Sequence, residues 1–160
     1  MPSDPSTPAT ATSSDRIEKR VTLDAPRSRV WRALTDVAQF NTWFGVLLTA
    51  PFAPGAEVSG RINVPNYDHL TVTIWIEMLE PERFFSFRWH PHAVEVGVDY
   101  SSEPTTLVSF TLEDAGSGTL LTIVESGFDR IPESRRANAF TMNSEGWSAQ
   151  AENLRKFLAA

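Results

Sequence analysis

The sequence predicts an α+β fold in which a curved antiparallel sheet wraps around one long C-terminal helix. Three observations predict it: alternating apolar and polar segments through the middle of the chain, two short helical patterns after the first such segment, and one long helical pattern at the end. Only the last pattern is long enough to cover a sheet face, and layers of this kind bury their apolar faces against each other.

The final stretch, 132–160, has the periodicity of one long amphipathic helix. One predicted face recurs at steps of three or four residues: Phe140, Asn143, Trp147, Ala151, Leu154 and Leu158. Pro132 suits the beginning of a helix, and Arg155 and Lys156 suit its C-terminal end. Gly146 costs about 1 kcal/mol relative to alanine in a helix interior. We therefore expect it to permit a close backbone approach or a bend around a bulky neighbour.

The residue pattern of the N-terminal part predicts one strand and two short helices. The segment 16–23 alternates and predicts the strand. Val30, Trp31 and Leu34 form an apolar stripe in the first helix, and Asp36 is placed to cap the second. The stretch 46–55 is expected to be a loop because it is punctuated by proline and glycine.

Further strands are predicted in the rest of the chain, at 57–64, 70–79, 83–90, 105–113 and 119–126, with a hairpin turn at 115–118. In the second of these, Val72, Ile74, Ile76 and Met78 are expected to share one face. The polar segment 91–103 has no regular pattern, and the sequence leaves open whether 94–102 is a lid or a simple loop.

Composition limits the classes of function. The chain has 160 residues, 41% of them hydrophobic, a net charge of −6 and no cysteine. We expect a disordered tail over 1–14 and one domain over 15–160. The acidic balance without a basic stripe argues against nucleic acid as a partner. The start lacks a signal-peptide pattern and no apolar run could cross a membrane, so we expect a cytoplasmic protein without a membrane partner.

Several short stretches together resemble a known family. They are Ala25-Pro26, 30–36, Trp43-Phe44, 79–84, 87–89, 103–108, 118–122, 126–128, Gly146-Trp147 and Asn153-Leu154. Their order and spacing resemble the helix-grip, START-like (SRPBCC) superfamily, in the branch of activator of heat-shock-protein-90 ATPase homologues and polyketide-cyclase-like proteins. The resemblance implies the helix-grip fold and a cavity for hydrophobic small molecules between sheet and helix. This branch has no shared catalytic motif that could be carried over to this chain. The resemblance therefore implies a fold but not an activity.

The three histidines are candidates for metal binding or proton transfer. His90 and His92 with Glu95 have the residue types of a metal site, but Pro91 interrupts the strand, which favours a strand end with solvent-facing side chains. His69 is more typical of a loop residue than of a general base. The chain has no nucleophile, phosphate-loop or dinucleotide motif. We therefore expect no metal and no cofactor.

Aromatic residues are the stronger candidates for a binding site. Five Trp and ten Phe exceed what bulk packing in a domain of this size needs. The predicted ligand-binding residues come from different elements: Trp43, Trp75, Phe87, Trp89, Tyr100, Asn143 and Trp147. Any one of them also fits plain core packing. Arg88 and Glu145 could add polar contacts, although both also fit a solvated surface.

Three hypotheses about function follow. The first is a protein that binds a hydrophobic or aromatic small molecule under the long helix. The second is a polyketide-cyclase-like enzyme in the same cavity, with His90, His92, Tyr100 and Glu145 as titratable candidates. The third is a co-chaperone-like interaction domain that contacts a chaperone. Edge strands also leave a homodimer open.

Overall fold

The structure is a computed structural model that describes residues 14–160. In chain order its elements are β1 (Arg16–Leu23), α1 (Arg27–Thr35), α2 (Val37–Phe44), β2 (Val46–Leu48), β3 (Glu57–Ile62), β4 (Thr71–Glu80), β5 (Phe84–Trp89), β6 (Thr106–Ala115), β7 (Gly118–Ser126), a 3-10 turn (Phe128–Arg130) and α3 (Glu133–Ala159). The tail expected over 1–14 lies outside the described residues, apart from Ser14. The predicted α+β class is confirmed.

One antiparallel sheet contains all seven strands, in the order β1-β7-β6-β5-β4-β3-β2. Strands β2 to β7 follow one another as a meander, whereas β1 and β2 lie at opposite edges. The two short helices therefore carry the chain from one edge of the sheet to the other. No helix within residues 14–160 is long and apolar enough to cross a membrane.

Strand β2 corrects one expectation. The stretch 46–55 was predicted to be a loop, but Val46–Leu48 pairs with β3, with Leu48 opposite Gly60. A strand of three residues is too short for alternation to reveal it.

A bulge in β4 corrects another expectation. Ile76 and Met78 pair with adjacent residues of β5, so β4 contains one extra residue between them. The extra residue reverses the alternation of faces. Met78 is consequently 45% exposed, although it was expected to share a face with Ile76, and Leu79 packs against the core instead.

The core lies between the inner face of the sheet and α3. Phe85 and Phe110 stack at its centre with ring centroids 5.6 Å apart. From α3, Ala139, Trp147 and Leu154 are buried, so the long helix is confirmed along with most of its predicted face. Burial of this kind stabilises by roughly 25 cal/mol per Å² of apolar surface.

The ends of α2 are fixed by local chemistry. Asp36 caps the helix as predicted, since its Oδ1 accepts from the backbone nitrogens of Ala38 (2.9 Å) and Gln39 (3.2 Å). Gly45 ends the helix with φ of 85°, a left-handed conformation that favours glycine. This turn places Phe44 over the inner side of the sheet, where the candidate site begins.

Candidate functional site

A cleft of about 950 Å³ opens between α3, strands β3 to β5 and the segment 92–101. The segment 92–101 is called the rim segment below. Small-molecule sites have volumes of about 300–1,000 Å³ and are mostly apolar. The cleft falls in that range, and three of the five tryptophans of the chain line it: Trp75, Trp89 and Trp147.

Three aromatic rings form the floor of the cleft. Phe44 lies 6.0 Å from Trp89 and 5.9 Å from Trp147, measured between ring centroids. The two indoles lie 5.8 Å from each other at an interplanar angle of 32°. These separations are typical of packed aromatic pairs, so the three rings form one packed group. Trp147 is only 2% exposed, whereas Phe44 and Trp89 are half-buried and provide most of the accessible floor.

Behind this floor lies a completely buried carboxylate, Glu125, with an exposed fraction of 0%. Its Oε1 accepts from Trp147 Nε1 at 2.8 Å and from Asn143 Nδ2 at 2.9 Å. Its Oε2 accepts from Trp89 Nε1 at 2.8 Å and from Thr106 Oγ1 at 2.6 Å. One carboxylate thus fixes three side chains that line the cleft.

The four partners of Glu125 are all hydrogen-bond donors. An ionised carboxylate can only accept hydrogen bonds, and indole and amide N–H groups can only donate them. Within residues 14–160, no basic side chain forms an ion pair with Glu125. The carboxyl group is therefore held by hydrogen bonds from neutral donors rather than by a buried cation.

Trp75 of β4 also lines the cleft, from the sheet face that carries Arg88, because Trp75 and Arg88 are directly paired. Trp75 Nε1 donates to Glu57 Oε1 at 3.0 Å. Its ring also meets the imidazole of His90 edge-on, with centroids 5.5 Å apart at an interplanar angle of 85°. Both contacts hold the indole beside the cleft.

The rim segment is fastened to the first turns of α3 by Arg135. Its Nε and Nη2 donate to Glu103 Oε1 at 2.9 and 2.7 Å, and its Nη1 donates to the carbonyl oxygen of Pro91 at 2.8 Å. The guanidinium carbon also lies 4.7 Å from the ring centroid of Tyr100. One arginine therefore holds the chain on both sides of the rim segment.

His92 has a lowered pKa, chiefly because burial disfavours its charged form and secondarily because Arg135 is positively charged. The unfolded chain, with a histidine pKa of about 6.5, therefore binds this proton more readily than the folded protein. The contribution of His92 to the free energy of unfolding is therefore fully present above about pH 6.5. It is lost as the pH decreases toward the lowered pKa.

We expect the variant His92→Asn to flatten the dependence of stability on pH between about pH 7 and 5. Asparagine is chosen because His92 has φ of 48°, which asparagine tolerates. Urea denaturation across this pH range measures the slope, and His69→Asn, at an exposed histidine, is the control. An unchanged slope in His92→Asn contradicts the assignment.

The structure brings together five of the seven predicted ligand-binding residues. The cleft is lined by Trp75, Trp89, Tyr100, Asn143 and Trp147. It is not lined by the other two, Trp43 and Phe87. Trp43 is buried, with its Nε1 donating to the Ala33 carbonyl oxygen at 2.7 Å. Phe87 is covered by neighbouring rings, including that of Phe110.

The other polar candidates divide between the cleft and the surface. His69, His90, His92 and Glu95 line the cleft. Arg88 instead pairs with Glu77 at 2.7 Å on the partly exposed outer face, and Glu145 is exposed outside the cleft. Among residues 14–160, no group of three or more His, Cys, Asp or Glu side chains is arranged to hold a metal. The His90 Nε2 lies 3.1 Å from the Glu103 carbonyl oxygen.

Gly146 corrects the expectation of a close backbone approach. A Cβ atom at this position would meet no atom within 4 Å. Gly146 lies in the lining of the cleft instead. The missing side chain therefore leaves space on the α3 side of the cleft.

Sequence reasoning missed Glu125 and Arg135. Glu125 could have been found, because it continues the inward alternation of Leu121 and Ile123 in β7. Arg135 could not, because its partners lie in an irregular segment whose path no local pattern specifies.

The fold and the cleft define a helix-grip domain of the START-like class. Residues 24–159 match the family model described as Activator of Hsp90 ATPase homolog 1-like protein, and the chain belongs to this family. The resemblance stated from sequence is thereby confirmed. No curated protein matches the chain.

Solved structures share the fold. DynU16, a protein in the dynemicin biosynthetic locus, is 29% identical with a TM-score of 0.69, over 91% of this chain and 48% of its own. The chain thus spans about half of DynU16. CalU16 from Micromonospora echinospora is 24% identical with a TM-score of 0.63, over 89% and 75% of the two chains. The Aha1 dimer from Colwellia psychrerythraea is 15% identical with a TM-score of 0.67, over 89% and 95%.

Proposed function

We propose that this protein binds an apolar or aromatic small molecule in the cleft between the sheet and α3. The observation that carries the proposal is the aromatic floor, where Phe44, Trp89 and Trp147 line a cleft of about 950 Å³. A ligand that covers this surface gains roughly 25 cal/mol per Å² of apolar area removed from water.

Preorganisation supports the same proposal. Glu125 fixes both floor indoles and Asn143 in the absence of a ligand. Binding then loses little side-chain freedom, and the ordering cost, about 0.5–1.5 kcal/mol for each immobilised side chain, is reduced. Trp75 and Tyr100 would contact the ligand from β4 and the rim segment.

Gly146 provides a direct test. We expect Gly146→Leu to fill the cleft and to weaken binding of the neutral fluorescent probe N-phenyl-1-naphthylamine by about tenfold or more, which corresponds to about 1.4 kcal/mol. Gly146→Ala is the matched control, because a methyl group there meets no atom. It should keep probe binding and raise the free energy of unfolding by up to about 1 kcal/mol.

Fluorescence titration measures the affinities of the three proteins. Equal affinity of the wild type and both variants would show that the probe binds elsewhere. Native mass spectrometry of freshly purified protein complements the titration, since a co-purified small molecule would identify the ligand class.

A reaction in the same cleft is the second candidate. The observation that favours it is the presence of His90, His92 and Tyr100 in the lining. The lowered pKa of His92 leaves its imidazole neutral and able to accept a proton at neutral pH. Loss of turnover in His92→Asn with unchanged probe affinity would separate catalysis from binding.

Assembly and a chaperone contact are separate proposals. A homodimer is supported by the Colwellia psychrerythraea relative, which is described as a dimer, and by the open sheet edges at β1 and β2. Sedimentation at several concentrations tests it. Contact with a chaperone is supported by the family's description alone.

A further inference from the structure

We infer that the ligand of the cleft is an organic cation, in which an apolar body carries a protonated amine or a quaternary ammonium group. The inference rests on the proposed function and adds the charge of the ligand. It is drawn from the hydrogen bonds of the tryptophans, a buried charge and the charges that line the cleft.

Each tryptophan that lines the cleft donates its indole N–H to a carboxylate. Trp89 and Trp147 donate to Glu125, both at 2.8 Å, and Trp75 donates to Glu57 at 3.0 Å. A hydrogen bond to an anion polarises the donor group, so the electron density on the indole faces increases. Cations bind to aromatic faces because those faces are electron-rich, and indole is the best of them.

The buried tryptophan away from the cleft makes a different contact. Trp43 donates to a backbone carbonyl oxygen, that of Ala33, at 2.7 Å. The carboxylate partners are thus found at the three indoles in contact with the cleft and not at Trp43. This difference links the carboxylates to the cleft rather than to indole burial in general.

Glu125 adds a buried negative charge behind the floor. It has no exposed surface, and its partners are neutral donors. Charges separated by protein rather than water interact strongly, because the effective dielectric constant is low. A cation on the floor would therefore be attracted by Glu125 through the indole layer.

The charged side chains that line the cleft have the same sign. They are Glu57, Glu95 and Asp99, and the described lining contains no lysine or arginine. The pKa of Asp99 is lowered by hydrogen bonds from the backbone and side chain of Ser101, so its carboxylate stays ionised. An anionic ligand would meet repulsion from the lining as well as from the floor.

Asn143 also fits a ligand with N–H groups. Its Nδ2 is used by Glu125, which leaves the amide oxygen as an acceptor at the lining of the cleft. A protonated amine could donate to this oxygen, whereas a quaternary ammonium group could not. The two kinds of cation are therefore distinguishable.

Four probes with one naphthylmethyl body test the inference by isothermal titration calorimetry. They carry a trimethylammonium group, a protonated amine, a neutral hydroxyl group or a carboxylate. The titrations are run near pH 8, where ordinary histidines are neutral, in about 0.15 M salt. We expect each cation to bind about tenfold tighter than the alcohol, and the carboxylate to bind weakest.

A charge variant tests the origin of this preference. Glu57→Gln keeps an oxygen for Trp75 Nε1 but removes the charge, so the preference for cations over the alcohol should fall several-fold. Glu113→Gln changes the net charge equally at an exposed position outside the cleft and should leave the preference intact.

The outcomes separate the two proposals. If the alcohol binds as tightly as the cations, or the carboxylate binds tightest, the inference is overturned and the proposed function stands. If none of the four probes binds, both are overturned. If the amine binds tighter than the trimethylammonium probe, N–H donation to the protein contributes to affinity. If the trimethylammonium probe binds tighter, the indole faces are the cation site.

Discussion

Replacing Glu125 with alanine is expected to lower the free energy of unfolding by about 4 kcal/mol or more. The variant removes the acceptor for four buried or half-buried donors, on Trp89, Thr106, Asn143 and Trp147. Each donor left without a partner costs about 1–3 kcal/mol, and the vacated volume adds to the loss. Urea denaturation followed by tryptophan fluorescence measures the change.

The nearly isosteric variant Glu125→Gln distinguishes lost hydrogen bonds from lost volume. The amide nitrogen of glutamine would face an N–H donor in either orientation of the amide. At the position of Oε1 it meets Trp147 and Asn143, and at the position of Oε2 it meets Trp89, beside Thr106. We expect a smaller loss, about 1–3 kcal/mol.

The control for both variants is Glu113→Gln, on the strand paired with β7, where the side chain is exposed. Its stability should change by less than about 0.5 kcal/mol. A stable Glu125→Ala protein with an unchanged fluorescence spectrum would show that the carboxylate does not organise the floor.

Replacing Arg135 with alanine is expected to lower stability by about 2 kcal/mol. The Arg135–Glu103 pair is only 19% and 20% exposed, and the same guanidinium also donates to the Pro91 carbonyl oxygen and lies over the Tyr100 ring. The loss leaves Glu103 half-buried without its cation. Hydrogen exchange should increase most in the rim segment, because its attachment to α3 is lost.

Arg135→Lys should have an intermediate effect, since lysine keeps the charge but lacks the planar fork that reaches several acceptors. Arg155→Lys in the same helix is the control. Arg155 pairs with Glu152 at the surface, where solvent screens the pair and it contributes little to stability. Unchanged exchange of the rim segment in Arg135→Ala would show that other contacts hold it.

The alternation of strands and the spacing of the long helix were sufficient to predict some of the large side chains of the cleft lining. Trp89 was placed by its strand pattern, and Asn143 and Trp147 by steps of four along α3. Trp75 lies on the opposite face of β4 from Ile74 and Ile76, and it was predicted on composition and element order. Trp43 was predicted on composition and element order, which cannot tell whether a neighbouring ring covers it. Phe87 shares the inward phase of Trp89 but is covered by Phe110, and the sequence does not specify that contact.

Local patterns failed where geometry depends on pairing. The bulge between Ile76 and Met78 arises from the register with β5, so no count along β4 alone reveals it. The same holds for β2, whose three residues become a strand only because β3 lies beside them. A close backbone approach was predicted at Gly146 because glycine destabilises a helix interior. The sequence could not show that the space beside Gly146 is empty.

The position of β1 determines the order in which the sheet can form during synthesis. Arg16 pairs with Ser126 and Leu23 with Thr119, so the first strand of this sheet to be synthesised pairs with the last one. Contacts of such long sequence separation slow folding, because the intervening chain must be ordered first. Until then β1 is an unpaired edge, and the charges of Arg16, Glu18 and Arg20 along it oppose association with other chains. The meander β2 to β7 can assemble as it emerges, and β1 joins it last.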